Sequence, residues 1–233
     1  MDVRSPARPR RAPTRPGDRR PTQADRSART RSALLASAAR ELSRYGYGNL
    51  ILERVASEAG YTRGALYHQF KDKEDLALAV LDWVHQNWLR EVGDPARNEH
   101  DPVSELIALA HGHAVFCRRD VARVVMALRV EFSGQDHPVG RAIAQISDGA
   151  VKRVVRLIDA GRRVGTIPPG PPARAVAHAF FGAMEGTAIQ VAGQAPHDAV
   201  LVVRAVAGVL GLDPDGVPTA HGTREARMNR PFF

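Results

Sequence analysis

Apolar side chains in this chain recur three and four residues apart in one segment after another, and no convincing period-two run interrupts them. That spacing is the signature of amphipathic helices. Over 27–45 it aligns Leu34, Leu35, Ala38, Ala39, Leu42 and Tyr45, and Gly46 and Gly48 end the segment. Short helices are expected over 50–59, stopped by Gly60, and from Thr62 to about Phe70. A further helix opens at Asp72 or Lys73 and continues past Trp88, with Leu76, Val80, Trp83 and Val84 inward. Asp101-Pro102 joins an N-cap to a proline at the first helical position. That helix runs to about Cys117, and Asp120 opens the next, through Phe132. Residues 140–164 read as a long helix burying Ile143, Ile146, Ala150, Val154, Leu157 and Ile158. The connector Pro168-Pro169-Gly170-Pro171-Pro172 leads into two apolar helices over 173–191 and 197–210. The expected fold is all-α, with no internal repeat.

A chain of 233 residues can bury a core as one large or two small domains. The single cysteine, Cys117, excludes a disulfide framework and a Cys-rich zinc site and fits a reducing compartment. The best apolar run, 199–212, is short and carries Arg204, and the N-terminus is too polar for a secretory signal. The expectation is a cytoplasmic protein that does not enter a membrane. Enzyme readings find little support. His111 and His113 point to different sides of a helix, no acid or cysteine completes a ligand set, and no phosphate loop or nucleophile elbow is present. No catalytic residue, metal or cofactor is expected.

The net charge of +8 is unevenly placed. Residues 1–26 hold eight arginines against Asp2, Asp18 and Asp25, whereas 27–75 carry a net of +2. Such asymmetry suits a polyanionic partner, although 30 of the 33 basic residues are Arg, which genome composition alone also produces. With five prolines and no aromatic residue, 1–26 cannot offset its ordering entropy. It is expected to be a disordered basic arm that adds salt-sensitive affinity for nucleic acid. The division that follows is 1–26, arm; 27–75 and 76–212, two helical segments; 213–233, flexible tail.

The segment Leu50 to Phe70 meets the demands of a DNA-binding helix–turn–helix. Ala56 is small where two helices cross, Gly60 can adopt the left-handed turn, and Val55, Ala59 and Leu66 supply the shared apolar contact. Helix ends sharpen the point. Other helices open with acids (Asp72, Glu74 and Asp75; Asp101; Asp120), which suit the helix dipole. The helix after Thr62 opens instead with Arg63-Gly64, locally unfavourable by about 0.5–1 kcal/mol for each choice. A positive N-terminus aimed at phosphates and base edges is the natural compensation.

The stretch Arg63-Gly64-Ala65-Leu66-Tyr67-His68-Gln69-Phe70-Lys71-Asp72-Lys73-Glu74-Asp75-Leu76 is similar to the recognition helix and following Lys-Glu of the TetR family of transcriptional regulators. The resemblance covers 29–84, about a quarter of the chain. It implies that Thr62 caps the recognition helix and touches a phosphate, and that Arg63 reaches base edges, most plausibly guanine O6 and N7. Gly64 and Ala65 would let the helix approach the groove floor, Tyr67 and Lys73 would bind phosphate, and His68 would contact phosphate or a nearby base. Leu66 and Phe70 are core. The sequence departs from the family pattern at Asn49-Leu50-Ile51, where Thr or Ser often stands; Asn49 is the available cap.

The resemblance further implies that the second half forms a dimer and a small-molecule pocket. The last two helices are apolar over more of their circumference than a lone surface helix should be, and Ala179, Gly182, Ala183 and Gly186 would allow close approach across a two-fold axis. Polar or soft residues on otherwise apolar helices form the expected pocket set: His113, Cys117, Met126, Arg129, Phe132, His178, Phe181 and Glu185. Arg129 and Glu185 could instead pair with each other. The implied function is a homodimeric regulator of double-stranded DNA at a palindromic operator, most simply a repressor that a small-molecule effector releases. Coupling is expected to run from the pocket to the helix beginning near Lys73. An effector-independent DNA-binding protein of the same fold, or a helical enzyme, is the alternative.

Overall fold

The computed structural model describes residues 22–214 and 216, and all regular structure among them is helical. Helix α1 (Gln23–Tyr45) begins before the expected Ser27. Thr22 Oγ1 accepts the Asp25 N–H at 3.1 Å while the Asp25 carboxylate accepts the Thr22 N–H at 2.8 Å, a capping box. Residues 22–26 therefore form the start of α1 rather than the end of a disordered arm. The expected arm over 1–21, and nearly all of the expected tail, lie outside the described residues.

Helices α2 (Leu52–Glu58) and α3 (Arg63–Gln69) form the helix–turn–helix. Gly60, at φ +77°, makes the turn. The Tyr61 N–H reaches Ala56 O at 2.9 Å and the Gly60 N–H reaches Ser57 O at 3.0 Å, a Schellman closure of α2. Leu34, Leu42, Val55, Leu66, Phe70 and Leu76 fill the space between α1, α2, α3 and α4 (Lys73–Trp88). Buried Ser37 donates to Val55 O at 3.0 Å and fixes α1 on α2. The cap expected of Asn49 is absent. Ile51 stands at the N-cap without a side-chain bond, and Asn49 Nδ2 instead donates to Tyr45 O at 3.0 Å, finishing α1.

Asp72 caps α4 by accepting the Asp75 N–H at 2.9 Å. From Trp88 the chain continues through one π-helical turn (Leu89–Gly93) into the short α5 (Asp94–Arg97). Helix α6 (Pro102–Phe116) starts as expected at Asp101, whose carboxylate accepts the Val103 and Ser104 N–H groups at 3.0 Å. A 3₁₀ turn (Asp120–Arg123) leads into α7 (Val124–Glu131), followed by α8 (Pro138–Arg163), α9 (Ala173–Gln190) and α10 (His197–Leu210).

Helices α6, α8, α9 and α10 pack around Leu106, Ile158, Phe180, Met184, Val202 and Val206. Helix α4 packs on both α1 and α8, and α1 also packs on α7, so one apolar core runs through both halves. Gly112 of α6 permits close approach of the π turn, because a Cβ there would lie 3.0 Å from Val92 Cγ1. Arg118 holds Asp198, 2 % exposed, through two bonds of 2.9 Å and fastens the end of α6 to the start of α10. No described helix is long and apolar enough to cross a membrane.

Candidate nucleic-acid interface and ligand cavity

Thr62 Oγ1 accepts the Ala65 N–H at 3.2 Å, so α3 is capped from outside its first turn. Leu66 and Phe70 are buried, as their core assignment requires, whereas Thr62, Arg63, Gly64, Tyr67 and His68 are exposed and Ala65 is half-buried. A Cβ on Gly64 would meet nothing closer than Thr62 Oγ1, at 3.8 Å. Packing within the chain therefore does not demand glycine there. The Arg63 guanidinium lies 5.4 Å from the Tyr67 ring centre and pairs with Glu53 of α2 at 2.8 Å, both partners being well exposed.

Two residues of α1 steady the far end of α3. Arg31 donates to Gln69 O at 3.0 Å and stacks over the Phe70 ring at 4.5 Å, and Gln69 Nε2 donates to Ser27 Oγ at 3.0 Å. Neither Arg31 nor Ser27 stands out in the sequence, since both contacts bridge distant segments.

Lys73 is half-buried at the start of α4. Its ammonium donates to Gly48 O at 2.9 Å and sits 4.6 Å from the Tyr47 ring centre, on the loop joining α1 to α2. The same loop is gripped from the other side. Glu131, the last residue of α7, accepts the Tyr47 N–H at 2.5 Å and the Gly48 N–H at 2.6 Å. Phe132 and His137 stack with centroids 4.4 Å apart, and both meet the edge of Tyr47. Phe132, expected in the ligand pocket, is instead buried in this junction. It follows the last residue of α7, where the turn rather than helical spacing sets its direction.

The remaining expected pocket residues do converge. His113, Cys117, Met126, Arg129, His178, Phe181 and Glu185 line one cavity of about 420 Å³, together with Val84, Trp88, Phe116, Arg123, Ser147 and Arg174 among others. Trp88 Nε1 donates to His113 Nδ1 at 3.2 Å. A neutral imidazole then carries its proton on Nε2, which faces Cys117 Sγ at 3.4 Å. Burial, reinforced by the charge of Arg129, pushes the His113 pKa down to about 4. Burial also pushes the Cys117 thiol up to about 12, with Glu185 adding to the effect. This polar floor is thus uncharged at neutral pH. Arg129 pairs with Glu185 at 2.6 Å, as weighed from the sequence, and also donates to Ser147 at 3.1 Å. Arg129 and Glu131 therefore place one short helix against both the cavity and the α1–α2 loop.

Residues 34–80, which run from α1 into α4, match the model of the family described as bacterial regulatory proteins, tetR family. That segment is a TetR-family DNA-binding domain. It is similar to the HTH-type transcriptional regulator CymR of Pseudomonas putida, 37% identical over 68 residues, or 29% of this chain and 34% of CymR. It thus matches about a third of that relative's length. The HTH-type transcriptional repressor BepR of Brucella suis biovar 1 is 25% identical over 146 residues, which cover 60% of this chain and 70% of BepR. In three dimensions the chain resembles AibR, solved in complex with isovaleryl coenzyme A and operator DNA, with a TM-score of 0.63 and 19% identity. That match covers 79% of this chain and 98% of AibR, and shows that the TetR-type fold extends through the helical second half.

Proposed function

We propose that the chain is a cytoplasmic, homodimeric DNA-binding regulator, a repressor that leaves a palindromic operator when a small molecule fills the cavity. Arg63 reads base edges; Thr62, Tyr67, His68 and Lys73 bind phosphate or neighbouring edges; Gly64 and Ala65 give clearance at the groove floor. Two copies are needed to set two recognition helices in successive major grooves, about 34–36 Å apart. The faces of α9 and α10 suit that pairing. Gly182, Gly186 and Gly208 have open space above their Cα atoms, and Ile189, Val200 and Leu201 are exposed.

The observation that carries this reading is α7, with Arg129 in the cavity wall and Glu131 on the α1–α2 loop. A molecule that shifts α7 shifts the loop beneath the helix–turn–helix. Helix α4 supplies a second link, from Val84 and Trp88 in the cavity to Lys73 at its start. The effector must prefer the released state, because equal affinity for both states moves neither. AibR, solved with an acyl-coenzyme A and operator DNA together, is a protein of this fold that holds both kinds of partner. Selection of genomic fragments by the purified protein tests the proposal. A recurrent palindrome bound well above bulk DNA at about 150 mM salt is expected. Uniform binding to all fragments would overturn it.

A further inference from the structure

The Arg129–Glu185 pair is lopsided. Glu185 is 16% exposed and Arg129 is 38% exposed, so the open end of the pair is positive. Of the guanidinium N–H groups, Glu185 takes one and Ser147 another, while Nε meets no acceptor. The other acid of the lining, Asp148, is already held by Lys152 at 2.7 Å and lies 3.9 Å from Arg174. Both carboxylates are thus neutralised, whereas Arg129 keeps spare donors in a mostly apolar chamber. His113 is neutral and engaged by Trp88 and Cys117, so it adds no charge of its own. Arg123 and Arg174 also line the cavity but are exposed, so Arg129 is its half-buried guanidinium, and an apolar space with that group matches a ligand with an apolar body and one anionic, planar head.

We propose that the cavity takes a hydrophobic carboxylate, its head on Arg129 and its body against Phe181 and Met126. This rests on the reading of the cavity as the effector site and names the class of effector. The incoming carboxylate competes with Glu185 for one guanidinium, so Glu185 sets the affinity from within.

Calorimetry and thermal shift on the full chain test this with decanoate and 4-phenylbutyrate against 1-decanol, 4-phenylbutanamide and decylamine. At least one carboxylate should bind about tenfold or more tightly than its neutral and cationic counterparts. The decanoate and phenylbutyrate arms separate an acyl chain from an aromatic body. Arg129→Met should erase the preference, and Glu185→Gln should tighten carboxylate binding about tenfold, a gain that misfolding cannot produce. Binding by neither carboxylate, equal binding of decylamine or 1-decanol, or carboxylate affinity unchanged in both variants would overturn the proposal. Operator release is scored on the same samples. Carboxylate binding without release upholds the ligand class and overturns the release reading. Release by an amine or alcohol with no carboxylate preference does the reverse.

Discussion

The Glu131 carboxylate accepts the backbone N–H of Tyr47 at 2.5 Å, tying the end of α7 to the loop that opens the helix–turn–helix. Its second oxygen takes the neighbouring Gly48 N–H, and Lys73 closes the loop from the opposite side. Removing one carboxylate therefore frees two backbone donors at the junction of the two halves. Glu131→Ala should cost about 2 kcal/mol by urea denaturation. Ligand should still bind the cavity of this variant, but with a much smaller effect on operator affinity. Operator titrations with and without ligand measure that loss. Gly46→Ala should act in the same direction, since its Cβ would lie 2.7 Å from Glu131 Oε2 at a φ of +74°.

Arg63 and Lys73 should fail differently. Arg63→Ala is expected to relax base preference at one position of each half-site, at a cost of about 1–3 kcal/mol on the preferred operator. Lys73→Ala should weaken binding to all sequences alike and lower the salt slope by about one. Selections and salt titrations on both variants separate the roles, and identical profiles would refute them.

Glu53 occupies Arg63 in the free protein through an exposed pair at 2.8 Å. In the proposed role, base edges compete with Glu53 for that guanidinium. Glu53→Ala should therefore raise operator affinity, by no more than about fivefold because exposed pairs contribute about 0–1 kcal/mol. Fluorescence anisotropy at low salt provides the measure.

His113 gives the fold a pH dependence of defined sign. Its pKa falls from 6.5 to about 4 on folding, so the unfolded chain binds more protons between those values. This contribution to stability is fully present above about pH 6.5 and is lost as the pH falls towards 4. Denaturation midpoints at several pH values should show the decline, and His113→Asn should flatten it.

Arg118→Ala leaves Asp198 buried without its partner and should cost about 3–5 kcal/mol. The Asp198 carboxyl stays below its usual range, since the bonds from Arg118 and the Ala199 N–H outweigh the opposing effect of burial. Replacing both residues by apolar ones of similar size should recover most of the loss. Thermal unfolding of the single and double variants measures it.

What could be read from the sequence was local. The helices at Asp72 and Asp101 announce themselves through caps that bond within three residues, and Thr62 does the same for α3. The pocket set emerged because polar groups on apolar helices are costly unless they face one another or a shared space. Glu131, Arg31 and Ser147 left no such trace, because their partners lie on other elements far along the chain. The capping box at Thr22 and Asp25 was hidden by the proline-rich composition just before it. Asn49 was a reasonable cap by residue type, but the chain geometry put Ile51 in that place.

Helix α7 has eight residues, about two turns, so its side chains keep fixed positions around one straight axis. Positions 129 and 131 lie roughly 200° apart around its axis, on nearly opposite sides. Whatever draws Arg129 towards the cavity tends to draw Glu131 away from the loop. His178 and Phe181 stand on α9, apart from both α7 and α4. Under the proposed release mechanism, exchanging Phe181 or His178 would alter which molecule is sensed while leaving the readout intact, so that input could be re-specified without rebuilding output.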